Sequence, residues 1–253
     1  MLLRVRVTLP DRPGALGQVA RTLGVAGADI VQVVVLERLG GRAVDDFTVV
    51  WPGASRVERL LSGIAAIPGV QVDGVWKAIG APVSGGHDAE LLAQVAANPA
   101  DGLATLVDAV PGLLAADWAA AAIVPADWAA RSGSAMGPRP VPTEPDLHIG
   151  SEPTTAYASW RAPSPLYLPE VTPLRARPMT GPDNTRYAVA PFGRAGLVLV
   201  LARCDDAELP AAAFHVTEVD RVAQLVRAAA VILGDRLDQA GVPPVVSAVT
   251  EPS

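Results

Sequence analysis

The chain has 253 residues, of which 50% are hydrophobic and 18% are charged, so it can bury the core of one large or two ordinary domains without disulfide bonds. A net charge of -6 and the lack of a basic stripe interleaved with aromatic residues argue against direct binding to nucleic acid. The N-terminus alternates apolar and charged residues, unlike a signal peptide, and no apolar run is long enough for a membrane span. We therefore expect a cytoplasmic protein without membrane contact.

The first predicted element is a strand at the N-terminus. In residues 2–9, apolar side chains alternate with arginine or threonine, which is the pattern of a strand with one buried face. Pro10 ends the ladder pairing of this strand. Asp11 can accept hydrogen bonds from the N–H groups that follow it, and Pro13 suits an early helical position. The pattern therefore predicts a helix that begins near Gly14.

The next elements complete a small domain. Apolar residues recur at helical spacing up to Leu23, and the β-branched segment "ADIVQVVVLERL" predicts a strand. Gly40 and Gly41 form a two-residue hairpin signal before the strand "RAVDDFTVVW". A helix over residues 57–67 and the strand "VQVDGVWKAI" give the order βαββαβ. We expect two helices on one face of a four-stranded antiparallel sheet, in the ferredoxin-like manner.

The composition changes in the second half of the chain. Residues 81–87 belong to a linker rich in glycine, proline and serine, and residues 88–240 are expected to form a second domain that opens with two short helices. The alanine-rich segment that follows is a strand or a helix, because periodicity does not separate the two. Residues 131–182 hold 11 of the 24 prolines and are predicted to be loop-rich and partly disordered. Residues 241–253 are predicted to be a flexible tail.

Regular structure is expected again after the proline-rich segment. The segments "RYAVAPF" and "GLVLVLARC" predict a strand pair, and a terminal helix should run from residue 217 to about residue 238. Thr217 is its predicted N-cap, and Arg221 and Arg227 are expected on its solvated face. The residues predicted to pack against the sheet or a second copy are Val222, Val226, Ala229 and Leu233.

The segment "DRPGALGQVARTLGVAGADIVQVVV", set in the βαββαβ frame, resembles the ACT domain, a small regulatory module that binds amino acids in metabolic enzymes and regulators. The resemblance covers residues 2–79, so we place this domain at residues 1–80. In that family, effectors lie near the corner between the first strand and the first helix, where two domains pair side by side. The resemblance therefore implies a homodimer and a ligand site formed by Asp11, Arg12, Pro13, Gly14, Ala15, Leu16, Asp29 and Ile30.

Elementary chemistry assigns roles within this implied site. Unpaired N–H groups at a helix start and the positive end of the helix dipole favour a carboxylate. Gly14 would let a ligand approach the backbone closely, and Asp11 would meet an ammonium group. The resemblance puts Asp29 and Ile30 at the start of the neighbouring strand. The alternative is that Asp11 is only a helix cap and Gly14 only a turn glycine.

The second half is similar to a GAF domain. The likeness rests on "YAVAPFGRAGLVLVLAR" followed by "VTEVDRVAQLVRAAAVIL", which resemble the last two strands and the closing helix of that family. GAF domains often bind small molecules between their sheet and loops. The chain lacks the cyclic-nucleotide signature of the family and a chromophore-attaching cysteine in a pocket loop, so the resemblance names no ligand for this half.

The sequence carries few signs of catalysis or of a cofactor. The three histidines lack metal-ligand spacing, and the single cysteine, Cys204, ends an apolar strand where a thiol is expected to be buried and inert. No phosphate-binding loop or nucleophile elbow is present. Asp45 and Asp46 are adjacent on a strand and therefore face opposite sides, which excludes a single carboxylate dyad. We expect no cofactor, no metal and no enzymatic activity.

The sequence thus predicts a non-catalytic regulatory protein that senses an amino acid or related small metabolite through its ACT domain and works as a homodimer. A protein target is a further candidate partner. Two alternatives stay open, namely a ligand-free scaffold whose domains only dimerise and dock, and an unrecognised enzyme. Affinity for free amino acids separates the sensor from the scaffold, whereas a cleft with several convergent ionisable groups would favour the enzyme.

Overall fold

The structure is a computed structural model that describes residues 1–52, 57–78, 87–125, 153–181, 183–194, 196–205 and 209–239. These residues form an α+β fold with two antiparallel sheets, one in each half of the chain. The described helices include none that is both long and apolar enough to cross a membrane. The predicted linker, except His87, and the predicted tail lie outside the described residues.

The first sheet has four strands, and two helices connect them. Its elements are β1 (Leu2–Pro10), α1 (Ala15–Val25), β2 (Asp29–Leu39), β3 (Arg42–Val50), α2 (Val57–Ala65) and β4 (Gln71–Lys77). The strand order is β2-β3-β1-β4, and every neighbouring pair is antiparallel. The observed element order is the βαββαβ order that the sequence predicts.

One face of the first sheet packs against both helices because every second residue of the central strand β1 is apolar. The buried residues of this layer include Leu3, Val5 and Val7 from β1, Val19 and Leu23 from α1, and Leu60 and Ile64 from α2. The hairpin between β2 and β3 turns at Gly40 and Gly41, whose φ angles are 60° and 75°. Both angles favour glycine, which is why this pair predicts the turn.

The second sheet has five strands in the order β6-β5-β9-β8-β7. Its half of the chain contains α3 (His87–Ala97), α4 (Gly102–Leu114), β5 (Trp118–Ile123), β6 (Thr154–Ala158), β7 (Arg177–Thr180), β8 (Arg186–Pro191), β9 (Leu197–Arg203), α5 (Val216–Leu233) and a 3₁₀ helix (Gly234–Gln239). Helices α3, α4 and α5 share a core with one sheet face, and apolar residues between positions 162 and 174 cover part of the other.

The alanine-rich segment is the strand β5. Ala119 and Ala121 belong to the core on the helical side, whereas Ala120 and Ala122 belong to the core on the opposite side. All four are fully buried. A strand buried on both faces lacks the polar alternation that distinguishes strand from helix, which explains why periodicity could not assign it.

The proline-rich segment contributes two strands that the sequence analysis missed. Residues 131–152 lie outside the described part of the chain, but residues 153–181 contain β6 and β7, which form the two edges of the second sheet. Pro178 lies within β7, where it pairs with Ala188. Proline is tolerated there because an edge strand needs ladder hydrogen bonds on one side only. The stretch between these strands is irregular, as predicted.

The terminal helix α5 differs in detail from its prediction. The predicted apolar residues Val222, Val226, Ala229 and Leu233 are buried. The N-cap is His215 rather than Thr217, because the His215 ring accepts from the Thr217 amide and the His215 amide donates to Oε2 of Glu218. Such reciprocal pairs are the capping-box arrangement.

Two further expectations about side chains are corrected by the structure. Arg221 is only partly solvated because its guanidinium donates to both carboxylate oxygens of Asp88, at 2.8 and 2.6 Å. Arg227 is exposed, as predicted. Cys204 is exposed rather than buried, because β9 ends at Arg203 and the thiol follows it. Partial desolvation of the thiol and the nearby charge of Asp117 still raise its pKa, which disfavours the reactive thiolate.

The two halves of the chain contact each other through the second face of the first sheet. The Val75 amide of β4 donates to the Pro210 carbonyl at 2.9 Å. A Cβ at Gly74 would lie 2.5 Å from the Ala212 nitrogen, so a larger residue at position 74 would push the two halves apart. The same contact buries Arg6, which is only 3% exposed. The expectation that β1 has one buried face was therefore wrong, because α5 covers the other.

Candidate functional site

The corner between β1 and α1 is built on backbone geometry. Gly14 is the N-cap of α1 and has φ 87° and ψ -15°, which is the left-handed region that favours glycine. A Cβ added at this position would meet no atom within 4 Å, so the corner faces open space. Arg12 and Pro13 are exposed beside it, whereas Ala15 is buried in the core and Leu16 is 40% exposed.

Asp11 does not cap the helix, contrary to prediction. Its amide donates to the Gly41 carbonyl at 2.8 Å, and its carboxylate lies 3.0 Å from the Arg38 guanidinium. The helix has no side-chain cap. Asp11 therefore ties the corner to the β2–β3 hairpin, and Arg38 already occupies the carboxylate that was expected to meet an ammonium group.

The first amides of α1 are left without acceptors. The Arg12 amide donates to Pro10 and the Ala15 amide to Arg12, which closes the turn. Within the described part of the chain, the amides of Gly14, Leu16 and Gly17 have no such partner. Free N–H groups at a helix start carry the positive end of the helix dipole. This corner can therefore donate hydrogen bonds to an anion such as a carboxylate.

Asp29 and Ile30 do not reach this corner within one chain. The end of β1 at Pro10 pairs with Arg42, which pairs with Leu39 at the end of β2. Asp29 lies at the other end of the sheet, because it pairs with Val50 and Val50 pairs with Leu2. At about 3.3 Å per strand residue, the two parts of the predicted site are roughly 25 Å apart.

Strand β2 is an open edge with apolar side chains on both faces. Among the described residues it pairs with β3 alone. Val33, Val34 and Val35 are 39%, 37% and 50% exposed, and Val31 and Leu39 are exposed as well. An exposed apolar edge strand is a template for pairing with another strand. Near its end, Leu36 and Glu37 contact Thr217 and His215 at the start of α5.

A buried carboxylate lies on the helical face of the first sheet. Asp45 is 3% exposed, and its Oδ1 atom has no hydrogen-bond partner among the described residues. It lies two residues from Ala43 and two from Phe47, both in the core under α1 and α2, so it faces the helical layer. Burial raises the pKa of the Asp45 carboxyl, with the charge of Arg38 opposing and those of Asp11 and Asp46 adding to the shift.

The neighbouring Asp46 faces the other side of the sheet, as strand geometry predicts. Arg6 donates to both of its carboxylate oxygens, at 2.6 and 2.8 Å, and also donates to Oε2 of Glu218 at 2.8 Å. Arg203 reaches Oε1 of Glu218 at 2.5 Å. Arg6, Asp46, Arg203 and Glu218 are all buried, and with Arg4 they form what we term the inter-half cluster.

The cluster joins strands of both sheets to the start of α5. The Trp76 ring lies between two guanidiniums, with the Arg6 and Arg203 carbons 5.3 and 4.6 Å from its centroid. Burial opposes ionisation of Glu218, but Arg203 and Arg6 overcome that effect and lower its pKa to about 2. Burial and the nearby arginines lower the pKa of Arg4, whose Nε is also without a partner in the described part of the chain.

Sequence reasoning missed this cluster, although two signals were present. Asp46 lies inside the strand "RAVDDFTVVW", and Arg203 ends the apolar strand "LVLVLARC". Charged residues are almost never fully buried unless paired, so a charge in an apolar strand indicates a buried partner. Nothing local identifies that partner, because Arg6 and Glu218 are 212 residues apart.

The second half contains a cavity of about 540 Å³ between α4, β6 and the 3₁₀ helix. Its lining is mainly apolar, with Asp101, Tyr157 and Arg236 as polar members. Trp118 packs edge-on against Tyr187 in the core on the other side of the second sheet. The described residues include no group of three or more His, Cys, Asp or Glu side chains arranged to hold a metal ion.

Comparisons with known proteins provide no family for this chain. No protein-family model matches it, and no curated protein matches it. One matching solved structure is an unknown protein from Galdieria sulphuraria, which is 12% identical. That match covers 92% of this chain and 94% of the other at a TM-score of 0.29, which is too low to establish a shared fold.

Proposed function

We propose that this chain is a non-catalytic cytoplasmic regulatory protein that binds an amino acid or a related small metabolite at the corner between β1 and α1. Its first half is proposed to be an ACT domain and its second half a GAF-like domain. The observation that carries the proposal is the left-handed Gly14, which faces open space beside amides that have no acceptor in the described part of the chain. Such an arrangement suits a carboxylate that approaches the backbone closely.

A homodimer would complete the proposed site. In one chain, Asp29 and the corner lie at opposite ends of the first sheet. If the β2 edges of two copies pair antiparallel, the Asp29 end of one strand lies beside the Leu39 end of the other, which is next to the corner. This arrangement would also cover the exposed valines of β2 and extend the sheet across both copies. The dimer is therefore part of the proposal.

The fold offers a direct route from the proposed site to the second half. Asp45 lies on the helical face of β3, and the next residue, Asp46, belongs to the inter-half cluster on the other face. Strand β1 likewise connects the corner at its end to Arg6, which contacts Glu218 of α5. A shift of β3 or β1 on ligand binding would change contacts at the start of α5, as a sensor requires.

The scaffold alternative also has an observation in its favour. The exposed edge of β2 can pair with a second copy whether or not a ligand is present. Under this alternative, Gly14 serves only the turn. Ligand affinity therefore decides between the two functions, because both predict a dimer.

Thermal-shift measurements on the full chain against the twenty amino acids test the sensor. A ligand present at 100 times its dissociation constant should stabilise the folded chain by about 2.7 kcal/mol. Gly14→Val should then abolish binding of the best amino acid, as measured by calorimetry. Gly193→Val is the matched control, since Gly193 has φ 75° and a Cβ there would also meet open space. Both variants carry the same backbone strain, but only Gly14→Val should lose binding. If no amino acid stabilises the chain, the scaffold function replaces the sensor.

A further inference from the structure

The cavity in the second half lies on the helical side of the second sheet. Its lining residues Leu103, Ala156, Leu233 and Leu237 belong to, or pack against, the core that the helices share with this face. The resemblance to a GAF domain implies a different position, between the sheet and its loops. The loop residues between positions 162 and 174 pack on the opposite face of the sheet. The cavity is therefore a separate candidate site.

The walls of the cavity are fixed by contacts within the chain. Tyr157 is one of the lining residues, and its hydroxyl donates to Oδ2 of Asp108 at 2.8 Å. A Cβ at Gly102 would lie 2.5 Å from the Leu233 side chain, so α4 and the end of α5 are in close contact beside the cavity. The volume of about 540 Å³ is within the range of about 300–1,000 Å³ that small-molecule sites usually have. The cavity is therefore large enough for a small organic molecule.

Arg236 contributes a positive charge to the lining of this cavity. The two acidic residues of the same 3₁₀ helix, Asp235 and Asp238, lie 2.9 and 3.4 Å from the Arg194 guanidinium and are paired with it. Within the described part of the chain, Arg236 itself has neither an ion pair nor a hydrogen bond. Its guanidinium is therefore available to an anion at the cavity.

Asp101, the acidic residue of the lining, has partners of its own. Its carboxylate accepts from the Asn98 side chain at 2.8 Å, and it is the N-cap residue of α4, where the helix dipole favours a negative charge. The unmatched charge at the cavity is therefore positive. Apolar walls with one unpaired guanidinium are complementary to a molecule that has a hydrocarbon body and one anionic group.

We propose that this cavity binds a small carboxylic acid with an apolar body, whose carboxylate pairs with Arg236. A guanidinium can donate two parallel hydrogen bonds to a carboxylate, and its single charge matches that of a carboxylate better than that of a phosphate dianion. The apolar body lies against Leu103, Ala104 and Leu237. This site goes beyond the proposed sensor function, because it lies in the second half and its ligand needs no ammonium group.

Calorimetric titrations of the full chain with matched acids and alcohols test this proposal. The acids are octanoate and phenylacetate, and the alcohols octanol and phenethyl alcohol carry the same apolar bodies without a charge. We expect at least one of the acids to bind the wild-type chain at least tenfold more tightly than its alcohol does. Acetate, which lacks the apolar body, should bind at least tenfold more weakly than that acid.

Two substitutions separate the charge from the apolar wall. Arg236→Gln should weaken binding of the acid at least tenfold and should leave the melting temperature of the free protein unchanged, because Arg236 is exposed. Ala104→Phe places a larger side chain in the lining and should weaken binding of the acid and of the alcohol alike. Arg227→Gln, an exposed change on α5 outside the lining, is the control that should alter neither affinity nor melting temperature.

The remaining outcomes would overturn the proposal. Equal affinity of the wild-type chain for each acid and its alcohol would remove the role of Arg236. Unchanged acid affinity in Arg236→Gln would show that the acid binds elsewhere on the chain. If Ala104→Phe does not fold, Arg236→Gln and the comparison of acid with alcohol still decide. If neither acid binds the wild-type chain, this inference falls, whereas the sensor function is tested independently by the amino acids.

Discussion

Helices α1 and α5 pack on opposite faces of the first sheet and begin in different ways. Helix α1 begins at the left-handed Gly14 without a side-chain cap, whereas α5 begins at His215 within a capping box. Asp11 lies three residues before the N-cap Gly14 and forms an ion pair with Arg38 instead. Because no side chain in the described part of the chain caps the first amides of α1, they can donate to a ligand. A capped start, such as that of α5, would compete with a bound carboxylate.

Asp11→Ala should therefore have a small effect on stability. We expect the free energy of unfolding to fall by less than about 1 kcal/mol, because a largely exposed ion pair contributes only about 0.2–1 kcal/mol. His215→Ala should cost about 0.5–2 kcal/mol, since it removes a real cap. Urea unfolding of both variants in low and high salt measures the difference, and salt should reduce only the Asp11 effect. A salt-independent loss in Asp11→Ala as large as that in His215→Ala would show that Asp11 caps α1 in solution.

At the scale of helices and strands, local patterns predict much of the first sheet. The apolar alternation that predicts β1 and the glycine pair that predicts the hairpin each lie within a few consecutive residues. Both elements can therefore be predicted from the sequence alone. What covers the second face of β1 depends on α5, more than 200 residues away. The alternating arginines of β1 are the usual pattern of a solvated face, and only the fold reveals that Arg6 is buried and Arg4 partly buried.

Some features of the candidate site can likewise be predicted from neighbouring residues, whereas others depend on the whole fold. The exposed glycine corner was predictable from "DRPGAL", because proline and glycine fix its backbone. The opposite faces of Asp45 and Asp46 were also predictable from strand geometry. The unsatisfied oxygen of Asp45 was not, because it depends on which side chains surround it. The separation of Asp29 from the corner follows from strand register, which the sequence alone does not specify.

Glu218→Gln tests whether the inter-half cluster stabilises the contact between the two sheets. Removing one charge from a buried ionic group typically costs about 3–5 kcal/mol. We therefore expect Glu218→Gln to lower the free energy of unfolding by that amount at neutral pH. The pKa of Glu218 is lowered from 4.5 to about 2, so its ionised form stabilises the fold above pH 4.5. That contribution should disappear as the pH falls from 4.5 to about 2.

Urea unfolding at a series of pH values measures this difference. The difference in the free energy of unfolding between the wild-type chain and Glu218→Gln should be constant above pH 5. It should become smaller as the pH falls below that value. Asp220→Asn on the exposed side of the same helix should behave as the wild-type chain does. A Glu218→Gln variant as stable as Asp220→Asn at neutral pH would show that the cluster does not hold the halves together.

At the scale of the whole molecule, the first sheet has one edge covered and one edge open. Residues 209–212 of the second half lie along β4, where the Val75 amide bonds to Pro210. Strand β2, at the other edge, presents exposed valines to the surroundings. Natural edge strands are usually protected by charge, by proline or by a partner, and the valines of β2 provide neither charge nor proline. A second copy is the partner that the proposed function requires.

The double change Val33→Lys and Val35→Lys should convert a dimer into a monomer, because paired β2 edges would bring these charges together across the twofold axis. The two side chains are at least 39% exposed, so the substitution should leave the folded chain intact. Sedimentation velocity at tens of micromolar measures the association. Val231→Lys is the control, because Val231 is 84% exposed on α5, away from the sheet edge. It should leave the dimer unchanged.

The same variant decides whether pairing completes the ligand site. If Asp29 of one copy meets the corner of the other, the monomeric variant should bind the best amino acid at least tenfold more weakly than the wild-type chain, although Gly14 is untouched. Affinity that survives the loss of the dimer would restrict the site to the corner of one chain and remove Asp29 and Ile30 from it. A wild-type chain that sediments strictly as a monomer, with and without amino acids, would contradict pairing through β2 altogether.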